Sequence, residues 1–407
     1  MSRQTIATRH TSTNRTAAAL QQLKSPPCMT PLETIMPDIA PFQVSLTPIG
    51  EIDALEPLWL DLQSRSDSSW FTSWGWIGCW LRQLPARCTP HVLKVNGPAG
   101  IVGLGLLNRR IVRRGQIIAS RGLFLHETGE RVLDTLTVEH NGLLADRDHA
   151  DAASQAALNY LRDDCPGWDE LFLSGLDADG PLDRAAATLP GVRRRLFKQP
   201  PCHFVDLAGL RASGVDSLAI VGPNTRGKIR KSIRLFERSG PVALDLAATV
   251  KQGLQFFEAM TALHQASWQG KGEEGAFVHP CICRFHRALI ESRLPHGEIQ
   301  LLRVRAGDET LGYLYNFVHA GRVYAYQSGF RQFDDAKLKP GLMAHTLAIQ
   351  YNQAHGANTY DFLAGDYQYK ESLSNAATSM HWIVLQKRRA RFHIEDVLRT
   401  VKRKCGL

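Results

Sequence analysis

Two stretches of this chain repeat one order of elements, and that repetition limits the fold more than any single motif. In the first, strand-like runs at residues 91–95, 101–107 and 116–120 surround a turn at Asn96-Gly97-Pro98. A helical segment, residues 150–161, then leads through Pro166-Gly167 to Glu170-Leu171-Phe172-Leu173-Ser174-Gly175. In the second, runs at 300–305, 311–319 and 323–328 are separated by turns at Ala306-Gly307-Asp308 and Ala320-Gly321, and a helix over 341–355 leads through Gly356 to Tyr360-Asp361-Phe362-Leu363-Ala364-Gly365. Hairpin strands, a helix, a glycine and a strand closing on a small residue plus Gly recur in both. A duplicated α/β unit is expected, each copy with a mixed sheet.

The copies differ where chemistry would sit. The second opens its helix with Lys337-Leu338-Lys339-Pro340-Gly341, and a helix start directs unpaired N–H groups and a positive dipole end outward. Two lysines beside it favour a phosphate or pyrophosphate, while an ordinary αβ unit with a Pro-Gly helix start is the plain alternative. The first copy offers Glu139-His140-Asn141-Gly142 in the corresponding place. One copy is therefore expected to bind the donor and the other to support it. On the helix over 341–355, Met343, Leu347 and Tyr351 are expected to share a buried face, with Ala344 and Ala348 beside them.

At 407 residues the chain is long for one core. With 44% hydrophobic and 21% charged residues it has a globular composition, and its net charge of +9 favours an anionic partner. Residues 1–40 are expected to be a disordered leader, or the product of a start placed upstream of Met29 or Met36, with a transit peptide as the alternative. Two domains are expected to follow, residues 41–190 and 200–390, joined through a Pro- and Arg-rich connection at 181–201 and ending in a basic tail, 391–407.

Eight scattered cysteines show no disulfide framework and read as thiols of a reducing cytoplasm, the expected location. His279, Cys281, Cys283 and His286 form a weak metal pattern because Cys-x-Cys lacks the usual gap, and no metal is expected. No apolar run approaches the ~20 residues needed to span a bilayer.

The aromatic run Trp70-Phe71-Thr72-Ser73-Trp74-Gly75-Trp76 follows an amphipathic segment at 51–65 and is expected to pack helices on a sheet rather than stack a ligand. The segment 224–239 is the most basic on the chain. Arg226, Arg230, Arg234 and Arg238 recur at i,i+4 spacing, so a helix would present an arginine stripe suited to phosphate. A second amphipathic helix, 250–268, has Leu254, Phe257, Leu263 and Trp268 as candidate core positions and is followed by a glycine-rich, charged loop at 270–275.

The run at 71–76, the basic segment, Leu263-His264-Gln265-Ala266-Ser267-Trp268, Lys339-Pro340-Gly341-Leu342 and Tyr360-Asp361-Phe362-Leu363-Ala364-Gly365-Asp366-x-x-Tyr369-Lys370 together resemble the BioF-like acetyltransferase branch of the GNAT superfamily. That branch includes CelD-type cellulose-biosynthesis proteins and is similar to the Fem peptidyltransferases. The resemblance spans about residues 42–390. It implies tandem GNAT-like domains, each a mixed, mostly antiparallel sheet flanked by helices (α/β, α+β). It also implies an acetyl-CoA or other acyl-CoA donor, or aminoacyl-tRNA as in the Fem relatives, and an amine acceptor.

The GNAT pyrophosphate loop is commonly Arg/Gln-x-x-Gly-x-Gly/Ala; Lys337 or Lys339, Gly341 and Ala344 fill similar places here with shifted spacing. Leu342 and Met343 complete the expected donor loop. Tyr369-Lys370 matches an aromatic-lysine pair at the active site of Fem relatives.

Acyl transfer to an amine requires a deprotonated amine, a polarised carbonyl and a protonated leaving thiolate. Asp361 or Asp366 is the expected proton acceptor, Lys370 the oxyanion partner, and Tyr367 or Tyr369 the donor to sulfur. Arg226, Arg230, Trp268 and Tyr326 are the expected acceptor contacts. The expected function is an N-acyltransferase acting on an amino sugar, amino acid or envelope precursor. The rivals are a tRNA-dependent transferase and a non-catalytic accessory protein of polysaccharide (cellulose) biosynthesis.

Overall fold

The structure, a computed structural model, describes residues 42–114 and 118–392. The expected leader and most of the basic tail lie outside the described residues. The N-terminal half runs β1 (Gln43–Pro48), α1 (Ile52–Ser64), α2 (Trp74–Gln83), β2 (His91–Gly97), β3 (Gly100–Arg114), β4 (Ile118–Leu125), β5 (Leu144–Ala145), α3 (Ala150–Asp163), β6 (Glu170–Asp177), α4 (Pro181–Thr188) and β7 (Val192–Lys198). After β8 (Pro201–Asp206), α5 (Leu207–Ser213) and α6 (Pro223–Phe236), the same order returns. It comprises β9 (Val242–Leu246), α7 (Val250–Gln269), α8 (Pro280–Arg293), β10 (Ile299–Ala306), β11 (Glu309–His319), β12 (Arg322–Phe330), α9 (Pro340–Ala354), β13 (Thr359–Ala364), α10 (Gln368–Leu373) and β14 (Ala376–Lys387).

Local chemistry sets many of these boundaries. Proline occupies the first turn of α4, α6, α8 and α9, where a missing N–H removes no helical bond. Ser73, Asp206 and Thr249 accept backbone N–H groups as N-caps of α2, α5 and α7.

Each half is a mostly antiparallel sheet with one parallel contact, β4 on β6 and β12 on β13. The two sheets are continuous through β14, whose first residues pair with β8 and whose later ones pair with β6 and β7. One helix and one strand that the composition concealed lie in residues 181–201, expected as a plain connection. Pro181 starts α4, and Arg193-Arg194-Arg195 lie on β7, whose partner β14 is far away in sequence.

The largest core cluster belongs to both halves. Trp70, Phe71 and Trp76 of the N-terminal half meet Phe317 of β11 at ring separations of 5.1, 6.2 and 5.8 Å. All four are at most 1% exposed, so the aromatic run packs, as its density predicted. On α7 the buried stripe is Phe256, Phe257, Met260 and His264, with Leu254 and Leu263 packed at its edge; Trp268 is half-buried rather than core. On α9, Met343, Ala344 and Ala348 are buried, whereas Leu347 and Tyr351 are only partly so.

Because this cluster and β14 both cross between the halves, unfolding should be a single event. Phe317→Ala should lower stability by ~3–5 kcal/mol while leaving one transition in urea, followed by fluorescence and circular dichroism. Two separated transitions in the unaltered protein would contradict the shared core.

Candidate active site

Strands β12 and β13 pair over three residues only, Arg322–Tyr324 against Thr359–Asp361, although β12 continues to Phe330 and β13 to Ala364. Beyond Tyr324 the strands part, leaving backbone groups of β12 without a neighbour on that side. The gap opens into a cavity of about 640 Å³, walled by residues 325–330 on one side and Phe362, Leu363 and Ala364 on the other. In the N-terminal half the equivalent gap between β4 and β6 is closed by Asn141. Its amide Nδ2 donates to the carbonyls of Leu125 (3.2 Å) and Ser174 (3.0 Å), and its backbone N–H donates to Gly175 (2.8 Å). One half is therefore open to a ligand and the other is plugged by its own chain.

The N-terminus of α9 borders the open cavity through Lys339, Pro340, Gly341 and Leu342. Proline has no N–H, and Met343 already donates to the Lys339 carbonyl at 3.1 Å, so the first-turn donors are those of Gly341 and Leu342. Met343 and Ala344, expected in the donor loop, are fully buried beneath it, and the Met343 N–H is already taken by the Lys339 carbonyl. The mouth is braced from α6, where Ser232 Oγ accepts the Lys339 N–H at 2.9 Å. Lys337 is exposed and is not among the lining residues.

Asp361 does not face this cavity. It is 1% exposed and points across the sheet toward the N-terminal half. Its Oδ2 accepts from His140 Nε2 at 3.0 Å and from Arg322 at 3.3 Å. Its Oδ1 accepts from the Leu363 N–H at 2.7 Å and the Cys202 thiol at 3.3 Å. Burial opposes its charge, but the His140 and Arg322 cations outweigh that and hold the carboxyl below the usual range. The strand's alternation, broken by a bulge at Leu363, turns Asp361 away from the gap. Leu363 adopts a left-handed φ of 61° there, a conformation that costs energy in a branched residue. Asp366 is exposed and does not line the cavity.

The carboxylate that does enter the cavity is Glu139, from the first half. It is 8% exposed, and its Oε2 accepts the Ala364 N–H at 2.7 Å. Burial pushes its carboxyl up to about 7, against the pull of the Ala364 N–H, Lys370 and His140.

Lys370 and Tyr369 sit on α10 rather than at the strand end, and both line the cavity. Lys370 Nζ donates to the carbonyls of Ala364 (2.7 Å) and Leu363 (3.2 Å), so the bulge aims two acceptors at one ammonium. Burial lowers the Lys370 pKa, with Glu139 opposing. Burial raises Tyr369 to about 12, so its phenol keeps its proton. Its ring stacks on His345 at 5.4 Å, which burial holds neutral with a pKa near about 3.

Tyr326 and Trp268 also line the cavity, the latter at its rim beneath Lys271, 4.9 Å from its ring. Tyr326 is pinned, its hydroxyl donating to the Leu136 carbonyl at 2.8 Å. Arg226 and Arg230 do not line the cavity; they lie on α6, half-buried and exposed respectively.

His279, Cys281, Cys283 and His286 do not assemble. His286 lies buried between the Tyr315 and Tyr326 hydroxyls, at 3.3 and 3.4 Å. His140, Cys202 and Asp361 do come within 4.8 Å of one another, but their polar atoms already bond to each other and to Arg322.

In the sequence Glu139 and His140 stand out only as the first copy's counterpart of the lysine loop. No periodicity marks them, because their partners, Ala364 and Asp361, lie in the other half.

Residues 223–371 match the family model described as an acetyltransferase (GNAT) domain. No curated protein matches the sequence. Among solved structures, that of FemX is similar over 86% of this chain and 98% of its own, with TM-score 0.57 at 10% identity. The C-terminal domain of a putative lysylphosphatidylglycerol synthetase from Agrobacterium fabrum is similar at TM-score 0.48 and 10% identity, over 86% of this chain and 97% of its own. A tandem GNAT protein from the clavulanic acid biosynthesis pathway gives TM-score 0.43 and 13% identity, over 86% and 100%. Over residues 223–371 the chain is thus similar to the acetyltransferase (GNAT) domain family, and its overall fold is similar to that of FemX.

Proposed function

We propose that this protein is an N-acyltransferase that moves an acyl group from an acyl-CoA thioester to a primary amine. The observation that carries the reading is the parting of β12 from β13 beside the free α9 N-terminus, with Glu139 facing the gap. A diphosphate fits the Gly341 and Leu342 N–H groups and the helix dipole, with Lys339 adding charge and Lys337 within the same loop. The thioester arm would run along the unpaired edge of β12. That places its carbonyl near Glu139, Tyr369 and Lys370.

The amine arrives as an ammonium and gives a proton to the Glu139 carboxylate. Its lone pair then forms the C–N bond at the thioester carbon, and the Lys370 ammonium stabilises the oxyanion. As the C–S bond breaks, the Tyr369 phenol protonates the departing thiolate, the second proton shed by the new amide nitrogen restores the phenol, and Glu139 releases its proton to solvent. No covalent enzyme intermediate is needed, since positioning alone supplies up to ~7–11 kcal/mol. Trp268 and Tyr326 would contact the acceptor, with Trp268 offering a flat face suited to a sugar ring. No helix among the described residues is long and apolar enough to cross a membrane. We assign the work to the cytoplasm, where CoA thioesters are made.

One observation favours a tRNA-borne donor as the second reading. Lys228, Arg230, Lys231 and Arg234 on α6 are exposed and make no ion pair among the described residues, beside the mouth that Ser232 braces. A donor held there through several phosphates would lose affinity steeply with salt, whereas acyl-CoA binding would fall only modestly. A protein that binds neither donor would revert to the accessory reading.

Acetyl-CoA at a hundred times its Kd should stabilise the protein by ~2.7 kcal/mol, read as a thermal shift. Gly341→Val, whose Cβ would meet the Phe330 ring at 3.3 Å, should weaken that binding by about tenfold or more. Equal shifts in both proteins would place the donor elsewhere.

With an active amine in hand, kcat/KM should rise with pH through a midpoint near about 7 as Glu139 ionises. Glu139→Gln should lose that limb and ~10²–10⁴ in rate. Retention of the limb would remove Glu139 from the mechanism.

A further inference from the structure

The segment from Thr137 to Asn141 is shaped by contacts with both halves. Thr137 and His140 both take left-handed φ values of 47°, unusual for residues with a Cβ. Gly175 approaches so closely that a Cβ there would lie 2.5 Å from the Val138 carbonyl, which fixes the path against the end of β6. Within this short run three side chains leave in three directions. Glu139 enters the cavity of the second half, His140 inserts beneath β13, and Asn141 seals the first half.

His140 is held from both sides. Its Nδ1 lies 2.6 Å from Asp177 at the end of β6, its Nε2 lies 3.0 Å from Asp361 on β13, and the Tyr324 ring stands 5.6 Å away. Asp361 in turn fixes the Leu363 bulge through the Leu363 N–H, and the bulge supplies both the N–H of Ala364 that holds Glu139 and the carbonyls that hold Lys370.

We propose that His140 and Asp361 are positioning residues. Their ion pair joins the halves so that a carboxylate from one faces the ammonium and thioester gap of the other. This rests on Glu139 being the base. It also explains why the most buried acid of the site, Asp361, is turned away from the cavity: it organises the groups that act. The pair makes the site a joint product of the tandem fold, in which the half that binds no donor delivers the reacting carboxylate.

Around Glu139 the charged and titratable groups are His140 beside it, Asp361 on β13, Lys370 on α10 and Tyr326 on β12. Behind them stand Arg322 and Tyr324 on β12, Cys202 on β8 and Asp177 on β6. Burial opposes charge on His140, but Asp361 and Asp177 outweigh it and keep the ring protonated well above its ordinary range. That cation favours ionised Glu139, so removing it should shift the Glu139 titration upward.

The test is a carbon NMR titration of protein labelled at glutamate carboxyls, with the Glu139 signal assigned by its absence in Glu139→Gln. His140→Gln should move the Glu139 midpoint upward by about one pH unit, with acetyl-CoA affinity unchanged. Should His140→Gln not fold, His140→Asn serves, because it removes the same cation with a shorter amide and should shift the midpoint the same way. A midpoint that stays put in the folded variant overturns the proposal. So does a stoichiometric metal ion in the purified protein that is lost in Cys202→Ser, since the cluster would then serve as a ligand set. If the midpoint moves while no acyl-CoA binds, the donor reading fails and the positioning role stands.

Discussion

The site exists because two parallel strands stop pairing. Over three residues β12 and β13 share hydrogen bonds, and then each continues alone. Unpaired strand edges are costly in a protein interior, and a structure keeps them only where something else meets those groups. In the N-terminal half the chain itself supplies that partner through Asn141. In the C-terminal half nothing from the described chain fills the gap, and the space is lined by a helix start, a lysine, a buried glutamate and several aromatic rings.

That difference underlies the division of labour proposed for the two halves. Each half keeps the same order of strands and helices, so the halves are similar as scaffolds. The first has closed its own gap with residue 141 and turned residues 139 and 140 outward into its neighbour. The shared strand β14 and the aromatic cluster around Phe317 make this transfer rigid: a carboxylate offered across a loose interface would not hold a single position in the cavity.

Much of the fold was legible because it rests on local pattern. The alternation at 300–305, 311–319 and 323–328 gave β10, β11 and β12 to within a few residues, and the Pro-Gly start gave α9. The repeat itself announced the tandem arrangement. The residues at 181–201 were opaque because a proline that begins a helix looks like one that breaks a chain, and because β7 is a strand only by virtue of β14.

The sequence by itself determined the repeated α/β order, a helix start at Pro340-Gly341 beside two lysines, and the presence of an aromatic-lysine pair at Tyr369 and Lys370. Each depends on neighbours within about one element. Only the tertiary structure decided which carboxylate faces the gap. Asp361 and Glu139 are both acids next to apolar runs, and nothing near either one distinguishes them. A bulge at Leu363 turns the first inward, toward His140, and packing of the two halves carries the second into the cavity, because burial and charge are set by residues more than two hundred positions away.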